Sequence, residues 1–321
     1  MEGSTKQIGQ FSYDQDSVPL GAGTFGKVFK GVDTKNNNEP VAIKIIPAEV
    51  LKQYQDFIDL FLREINILRE IRGEYILEFK KVLRTSSGNI YIVTNFCNGG
   101  NLEGLLKKQK KLSEYEALRI LRQVTEAFIG IEKLDLRNEE KQKVIVMHRD
   151  LKPANILFHD GNVRIADFGF AKTVEDNAKD VKDFHTMLGT PLYMAPQILA
   201  EKEYSYKCDI WSMGVVVYEL LFGVVPYNAA TKFKLLEKIV KNRIQDFPPE
   251  VPLSGETQDL IKKMLEVDDA KRIDWKQINE HPAIVNNRKQ EKALKEAQEL
   301  AKKTEVEKKQ AEPIEEKKVS K

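Results

Sequence analysis

MHRDLKPANILFHDGNVRIADFGF, residues 147–170, carries the triplet His148-Arg149-Asp150, an Asn five residues after that Asp, and the triplet Asp167-Phe168-Gly169. This set suits phosphoryl transfer from a metal-bound nucleotide, which needs metal ions held against phosphates and a carboxylate to orient the attacking hydroxyl. Residues 155–158 form a short apolar run, His159-Asp160-Gly161-Asn162 is turn chemistry, and residues 163–166 form a second run. The segment therefore reads as a hairpin, which returns the chain on itself and brings Asn155 near Asp167. Magnesium prefers oxygen ligands and takes one or two carboxylates plus substrate phosphates, which this pair offers. Singly, His148, Asp150 and Asp167 read as ordinary polar turn residues; their joint spacing carries the chemistry.

Outward from this stretch, the 321 residues suffice for one large domain or two lobes. With 51 basic and 49 acidic residues the net charge is +2, which advertises neither nucleic acid nor an anionic membrane as a partner. Cys97 and Cys208 are far apart, so no disulfide framework or cysteine metal site is expected, and a reducing, cytoplasmic compartment is. The opening MEGSTKQIGQ lacks the basic start and apolar core of a signal peptide, and its Gly stands at position 3, not at the myristoylation position 2. Residues 213–225 are the most apolar run, too short to span a bilayer and interrupted by Glu219, and read as a buried core helix with no transmembrane segment.

In chain order, LGAGTFGKVFKGV at 20–32 holds Gly21, Gly23 and Gly26 in G-x-G-x-x-G spacing, which dinucleotide-binding folds share. The strand-like residues 28–32 decide against that fold, where a helix starts after the last glycine. Residues 41–46 read as an apolar strand interrupted by Lys44, and a buried lysine needs an anionic partner. Residues 50–71 place Phe57, Leu60, Phe61, Ile67, Leu68 and Ile71 on one helical face; at roughly 100° per residue Glu64 falls inside that stripe, as the candidate partner of Lys44. Local pairing of Glu64 with Arg63 or Arg69 is the alternative. Strands are expected at 76–83 and 90–93, joined by Thr85-Ser86-Ser87-Gly88, and residues 95–100 read as a hinge into a helix-rich part, where ligand clefts concentrate. Ser113 with Glu116 three residues on signals a helix start, periodicity fades near Leu134, and residues 135–143 read as a surface loop.

GAGTFGKV at 21–28, VAIK at 41–44, HRDLKPAN at 148–155, DFG at 167–169, MAP at 194–196 and DIWSMG at 209–214, in this order, resemble the signature set of eukaryotic protein kinases from about Tyr13 to about Val285. Lys152 in HRDLKPAN resembles the Ser/Thr-specific form. YIVTNFCNGGNL at 91–102, IADFGFAK at 165–172 and GTPLYMAP at 189–196 are similar to ULK/Atg-type kinases that initiate autophagy.

The resemblance implies an α+β, bilobal kinase-like fold, with a mainly antiparallel β lobe carrying one regulatory helix (13–93), a hinge (94–98) and a mainly α lobe (99–285). A lead (1–12) and a charged tail (286–321) would flank it. It further implies Mg-ATP as phosphoryl donor and protein Ser or Thr as acceptor. Gly21, Gly23 and Gly26 would cover the phosphates, and Lys44, held by Glu64, would bind them. Thr94 would be the gatekeeper, the backbone of Asn95 and Cys97 would pair with adenine, and Val28, Ala42 and Leu157 would sandwich the base. Asp150 would accept the hydroxyl proton, Lys152 would neutralise phosphoryl charge, and Asn155 and Asp167 would hold magnesium.

Arg149 implies ordering of the activation segment by phosphate, with Thr186 as the site for an upstream kinase or trans-autophosphorylation and Thr190 contacting the catalytic loop. Three positions depart from the family pattern. Gln197 replaces the usual acid, so its bond to an arginine such as Arg272 would be neutral; Asn101 replaces the acid at the ribose; Ala154 replaces the acid of basic-directed kinases. Asp209 is expected to brace the catalytic loop backbone.

Residues 231–242 and 256–266 read as amphipathic helices around the proline-rich turn 247–252. From 286 onward Lys, Glu, Gln and Ala dominate, with a weak stripe of Leu294, Ala297 and Ala301 and a stop at Pro313, which reads as a solvated helix followed by disorder; docking of this tail on its own domain or on a partner is the alternative. Two other functions remain open: a pseudokinase that binds nucleotide as a scaffold, against which Lys44, Asp150, Asn155 and Asp167 argue, and a small-molecule kinase, against which the GTPLYMAP segment argues.

Overall fold

Alternation of side chains along the strands builds the first lobe. The computed structural model describes residues 4–23, 26–53, 69–137, 141–168, 172–175, 191–242, 244 and 247–311. Within them β1 (Thr5–Ile8), β2 (Phe11–Asp14), β3 (Gly21–Gly23), β4 (Gly26–Asp33) and β5 (Glu39–Ile46) precede helix α1 (Ala48–Gln53), and β6 (Phe79–Arg84) and β7 (Ile90–Asn95) follow. The strands form one antiparallel sheet in the order β1-β2-β4-β5-β7-β6, with β3 paired to β4. Val41 and Ile43 are fully buried in a core with Phe11, Phe29, Tyr91 and Val93. Strand period two then turns Ala42 and Lys44 to the other face. The register places Lys44 opposite Val28 and Ile92, and Ala42 opposite Thr94, so one face of three strands presents this whole set to the cleft below.

The second lobe is helical: α2 (Leu102–Gln109), α3 (Glu114–Glu132), α4 (Pro196–Leu199), α5 (Lys207–Phe222), α6 (Lys232–Lys241), α7 (Gly255–Met264), α8 (Trp275–Glu280) and α9 (Pro282–Ala311). Two small sheets, β8 (Val144–Met147) with β11 (Lys172–Glu175) and β9 (Ile156–His159) with β10 (Asn162–Ile165), lie on it. The expected bilobal architecture is present. α3 starts with the full capping box, Ser113 accepting from Glu116 N–H and Glu116 accepting from Ser113 N–H. Such a cap is worth about 1 kcal/mol. α5 is buried on nearly every side, Trp211, Met213, Val216 and Leu220 included.

Several boundaries differ from the sequence reading for identifiable reasons. Residues 76–78 do not begin β6: Ile76 bridges Ile165 in parallel, and Leu77 N–H donates to Ile165 O, because the chain here pairs with the lower lobe before joining the upper sheet. β7 runs on through Asn95, so the connection between lobes starts at Phe96. The core helix ends at Phe222, capped by Gly223 in a left-handed conformation, which leaves Val224 exposed. Residues 135–143 are not wholly a surface loop, since Leu136 is buried and Arg137 bridges Lys143. Most of 50–71, including Glu64, lies outside the described residues, as do Gly169, Thr186 and Thr190.

Candidate active site

The site grows from the hairpin. β9 and β10 are joined by Asp160-Gly161, both at positive φ, which is the two-residue turn that matches strand twist. β9 follows directly on Asn155, β10 leads through Ala166 to Asp167, and Ala166 N–H donates to Asn155 O at 2.9 Å. The hairpin thus brings together the two residues expected to share a metal.

The preceding loop is held by buried groups. Asp209, at the start of α5, accepts from His148 N–H at 2.7 Å and from Arg149 N–H at 2.8 Å. Burial pushes its carboxyl above the usual range, partly offset by His148 and by these backbone bonds. Arg149 sits at φ +65°, a region unfavourable for most side chains, and the two bonds from Asp209 hold the backbone there. His148, fully buried, accepts from Asp150 N–H on Nδ1, donates from Nε2 to Ala166 O, and packs against the Phe168 ring at 4.8 Å between centroids. One ring therefore ties the loop of Asp150 to the segment of Asp167.

Asp150 is buried, with its carboxylate 2.8 Å from Lys152 Nζ and 3.0 Å from Asn155 Nδ2. Asn155 Nδ2 also donates to Asp150 O, so Oδ1 is the atom of that amide left to accept a metal. Asp167, at φ +61°, receives Lys44 Nζ on both oxygens at 2.7 and 2.8 Å. Burial alone would raise its carboxyl, but the Lys44 ammonium overrides this and holds it below the usual carboxylate range. The anionic partner of Lys44 among the described residues is therefore Asp167, a pairing the strand pattern alone did not reveal.

Between the lobes lies a cleft of about 1130 Å³. Gly21, Gly23 and Gly26 form part of its upper edge, and Val28, Ala42 and Lys44 its roof. Thr94, Asn95, Cys97 and Asn101 line its back and side, and Asp150, Lys152, Asn155, Leu157 and Asp167 its floor. Every expected site residue that the structure describes thus reaches one cavity. Gly26 is required sterically: at φ +156°, a Cβ there would stand 1.8 Å from Ile45 O. At Gly21 and Gly23 a Cβ would meet open space, so these two leave room above the floor. Burial pushes the Cys97 thiol up to about 11, so it faces the cleft as a neutral group at neutral pH.

Asn101 does more than the sequence indicated, since its Oδ1 caps α2 by accepting from Gly104 N–H at 2.8 Å. Leu20, Ile92, Phe79 and Tyr193 also line the cleft and were not singled out from sequence. Period-two alternation with Thr94 was the available signal for Ile92; Tyr193 had none. Gln197 accepts from Arg272 Nη2 at 3.0 Å, the neutral bond expected, while the charge of Arg272 is met by Asp269 at 3.0 Å.

Comparison with known proteins agrees with this geometry. The protein kinase domain family matches residues 15–284. The chain is 35% identical over 268 residues to serine/threonine-protein kinase ULK3 of Homo sapiens, covering 83% of this chain and 53% of that protein. It is 35% identical over 283 residues to serine/threonine-protein kinase atg1 of Dictyostelium discoideum (86% and 39%), and 34% identical over 274 residues to calcium-dependent protein kinase 5 of Plasmodium falciparum (84% and 44%). The chain spans about half the length of the curated relatives it matches, or less. With the family match covering most of its length, the chain belongs to the protein kinase family.

Proposed function

We propose that the protein transfers the γ-phosphoryl group of Mg-ATP to Ser or Thr of protein substrates. The observation that carries this reading is the meeting of Lys44, Asp150, Lys152, Asn155 and Asp167 at one interlobe cleft. The donor set fits magnesium, because Asn155 Oδ1 and the Asp167 carboxylate are hard oxygens at the ends of one hairpin. When bound, the metal supplies positive charge against the phosphate oxygens. Asp150, buried and braced by Asn155, orients the acceptor hydroxyl and takes its proton. Lys152 stands beside it to offset phosphoryl charge, and Lys44 holds the donor's phosphates from above. Gly21 and Gly23 carry no side chain into the open space where the phosphates would lie, while Val28, Ala42 and Leu157 enclose the base and the Asn95 to Cys97 backbone meets its edge.

Thr186 is the proposed site of activation by an upstream kinase or by trans-autophosphorylation. Similarity to the ULK3 and atg1 kinases supports the Ser/Thr class, and the ULK/Atg-type segments carry a finer proposal, participation in autophagy initiation in the cytoplasm. Among the described residues no helix is long and apolar enough to cross a membrane. The five polar groups assembled at this cleft argue against a scaffold that binds nucleotide without transferring phosphate.

The test is phosphate transfer from labelled Mg-ATP to a general protein substrate and to the protein itself, wild type against Asp150→Ala. Loss of Asp150 should lower transfer by at least about 10²-fold. Equal transfer by the two proteins would overturn the assignment of Asp150, and absence of transfer from wild type phosphorylated at Thr186 would favour the scaffold.

A further inference from the structure

The first turns of α9 are packed onto α3, on the side of the helical lobe that also carries the β9–β10 hairpin. Ala283, Ile284 and Asn287 are buried, and Asn287 Nδ2 donates to Tyr115 O at 2.9 Å. One turn on, Glu291 inserts its carboxylate between two arginines of α3, contacting Arg122 Nη2 and, at 3.4 Å, Arg119 Nε, with Lys295 of its own helix at 3.4 Å. Arg288 reaches Glu126 and Asn279. Beyond this point the helix leaves the lobe, with Leu294 and Leu300 exposed.

Arg119 has a second end. Its Nη1 donates to Gly161 O at 3.1 Å and its Nη2 to Asn162 Oδ1 at 2.9 Å, both in the turn of the hairpin whose other ends are Asn155 and Asp167. One turn along α3, Gln123 donates to the same Asn162 Oδ1 and accepts from Val163 N–H, each at 2.9 Å. A guanidinium is a rigid planar fork, so fixing Nε on Glu291 also fixes where the two terminal nitrogens point. The hairpin between is four residues per strand, fully paired, with Val163 and Ile165 buried. A shift at its turn is therefore carried to its open end.

We infer that Arg119 is a positioning residue that makes the tail helix part of the catalytic geometry: Glu291 sets the Arg119 fork, the fork sets the hairpin turn, and the hairpin sets the spacing of Asn155 and Asp167. The inference rests on the proposal that these two residues hold magnesium. It assigns a role to residues 286–295, beyond the end of the family match at 284. Burial would raise the Glu291 carboxyl, but Arg122 and Lys295 outweigh it and keep it below the usual range, so the anchor is charged throughout the neutral range.

Three variants of the full chain test this: Arg119→Met, which keeps the stem and loses the fork; Arg119→Lys, which keeps the charge toward Glu291 but cannot grip the turn at two points; and Glu291→Gln. Each is measured by hydrogen exchange over residues 156–166, by the magnesium and ATP dependence of phosphate transfer, and by thermal denaturation. Exchange in the hairpin and the half-maximal Mg²⁺ concentration should both rise by roughly three- to tenfold in the two Arg119 variants, with kcat changing less. Glu291→Gln should give a smaller rise in both. A lowered melting temperature with hairpin exchange and Mg²⁺ dependence unchanged in Arg119→Met would reduce the contact to stability and overturn the proposal. Asn155→Ala serves as the reference: an unchanged Mg²⁺ dependence there would defeat the metal assignment itself, while hairpin exchange in the Arg119 variants would still read the strut.

Discussion

Gln197 stands where the resemblance to protein kinases leads one to expect an acid, and the structure shows how the neutral residue is held. Its Oε1 accepts from the fully buried Arg272, while its Nε2 donates to Val267 O at 2.6 Å, a bond no carboxylate can make. Arg272 is also met by Glu266 O, Lys207 O and Asp269, and it stacks over the Trp211 ring at 5.2 Å. Removal of the amide in Gln197→Ala leaves Val267 O only a 3.3 Å contact with Arg272 and should cost about 1–2 kcal/mol in urea unfolding. Gln197→Glu gains charge toward Arg272 but turns a carboxylate against Val267 O, so its stability should stay within about 1 kcal/mol of wild type. A gain of several kcal/mol would show that the bond to Val267 O contributes little. The neutral bond to Arg272 was legible in the sequence from the motif alone; the second bond was not, because Val267 lies 70 residues away and belongs to no motif.

Among elements, the lobe connection and the hairpin are joined at the edge of the cleft, which Asn98, Gly100 and Leu157 line. Gly99 N–H donates to Phe158 O and Phe158 N–H donates to Gly100 O, each at 2.9 Å, and Asn98 clasps Asp160 through both its side-chain atoms. A Cβ on Gly99 would stand 2.7 Å from Phe158 Cβ and 3.0 Å from Phe158 O. Gly99→Ala should therefore push the connection off the hairpin, destabilising the fold by about 1–3 kcal/mol and raising KM for ATP more than it lowers kcat. Calorimetry and steady-state kinetics would check this, and an unchanged KM would mean the joint does not shape the cleft. The hairpin itself was readable, since Asp160-Gly161 between two apolar runs is a strong local signal. Its neighbours were not, because residues 98–100 look in sequence like loop punctuation and only their contact with β9 makes them structural.

On the scale of the whole molecule, the ion pair of Lys44 with Asp167 spans the two lobes, with neither side chain more than a third exposed. The Asp167 carboxyl is held below the usual range, so its contribution to stability is complete above the unfolded value, roughly pH 4, and is lost as pH falls through the lower folded value. Wild type should exceed Asp167→Asn in stability by about 1–2 kcal/mol. The difference should stay flat from about pH 5 to pH 8 and shrink only below about pH 4. Urea titrations across that range would test it, and a difference that grew on acidification would contradict the sign. The sequence offers Lys44 a partner on the nearest amphipathic stripe, at Glu64, which lies outside the described residues. An interlobe pair separated by 123 positions leaves no periodic trace.

The features written in the chain are local: glycine and turn chemistry around Gly21 to Gly26 and Asp160-Gly161, strand alternation that sets Ala42 and Lys44 on one face, the cap at Ser113, and the motif residues of the catalytic loop, with Asp209 expected to brace its backbone. These follow from backbone sterics and side-chain period, which act over a few residues. Which of these faces meet follows only from the packing of the folded chain. It joined Lys44 to Asp167, Gln197 to Val267 O, and Glu291 to Arg119 and thence to the hairpin turn. Most of these pairings depend on how elements far apart in the chain pack, and a charge or an amide carries no mark in sequence of the partner that burial will force on it.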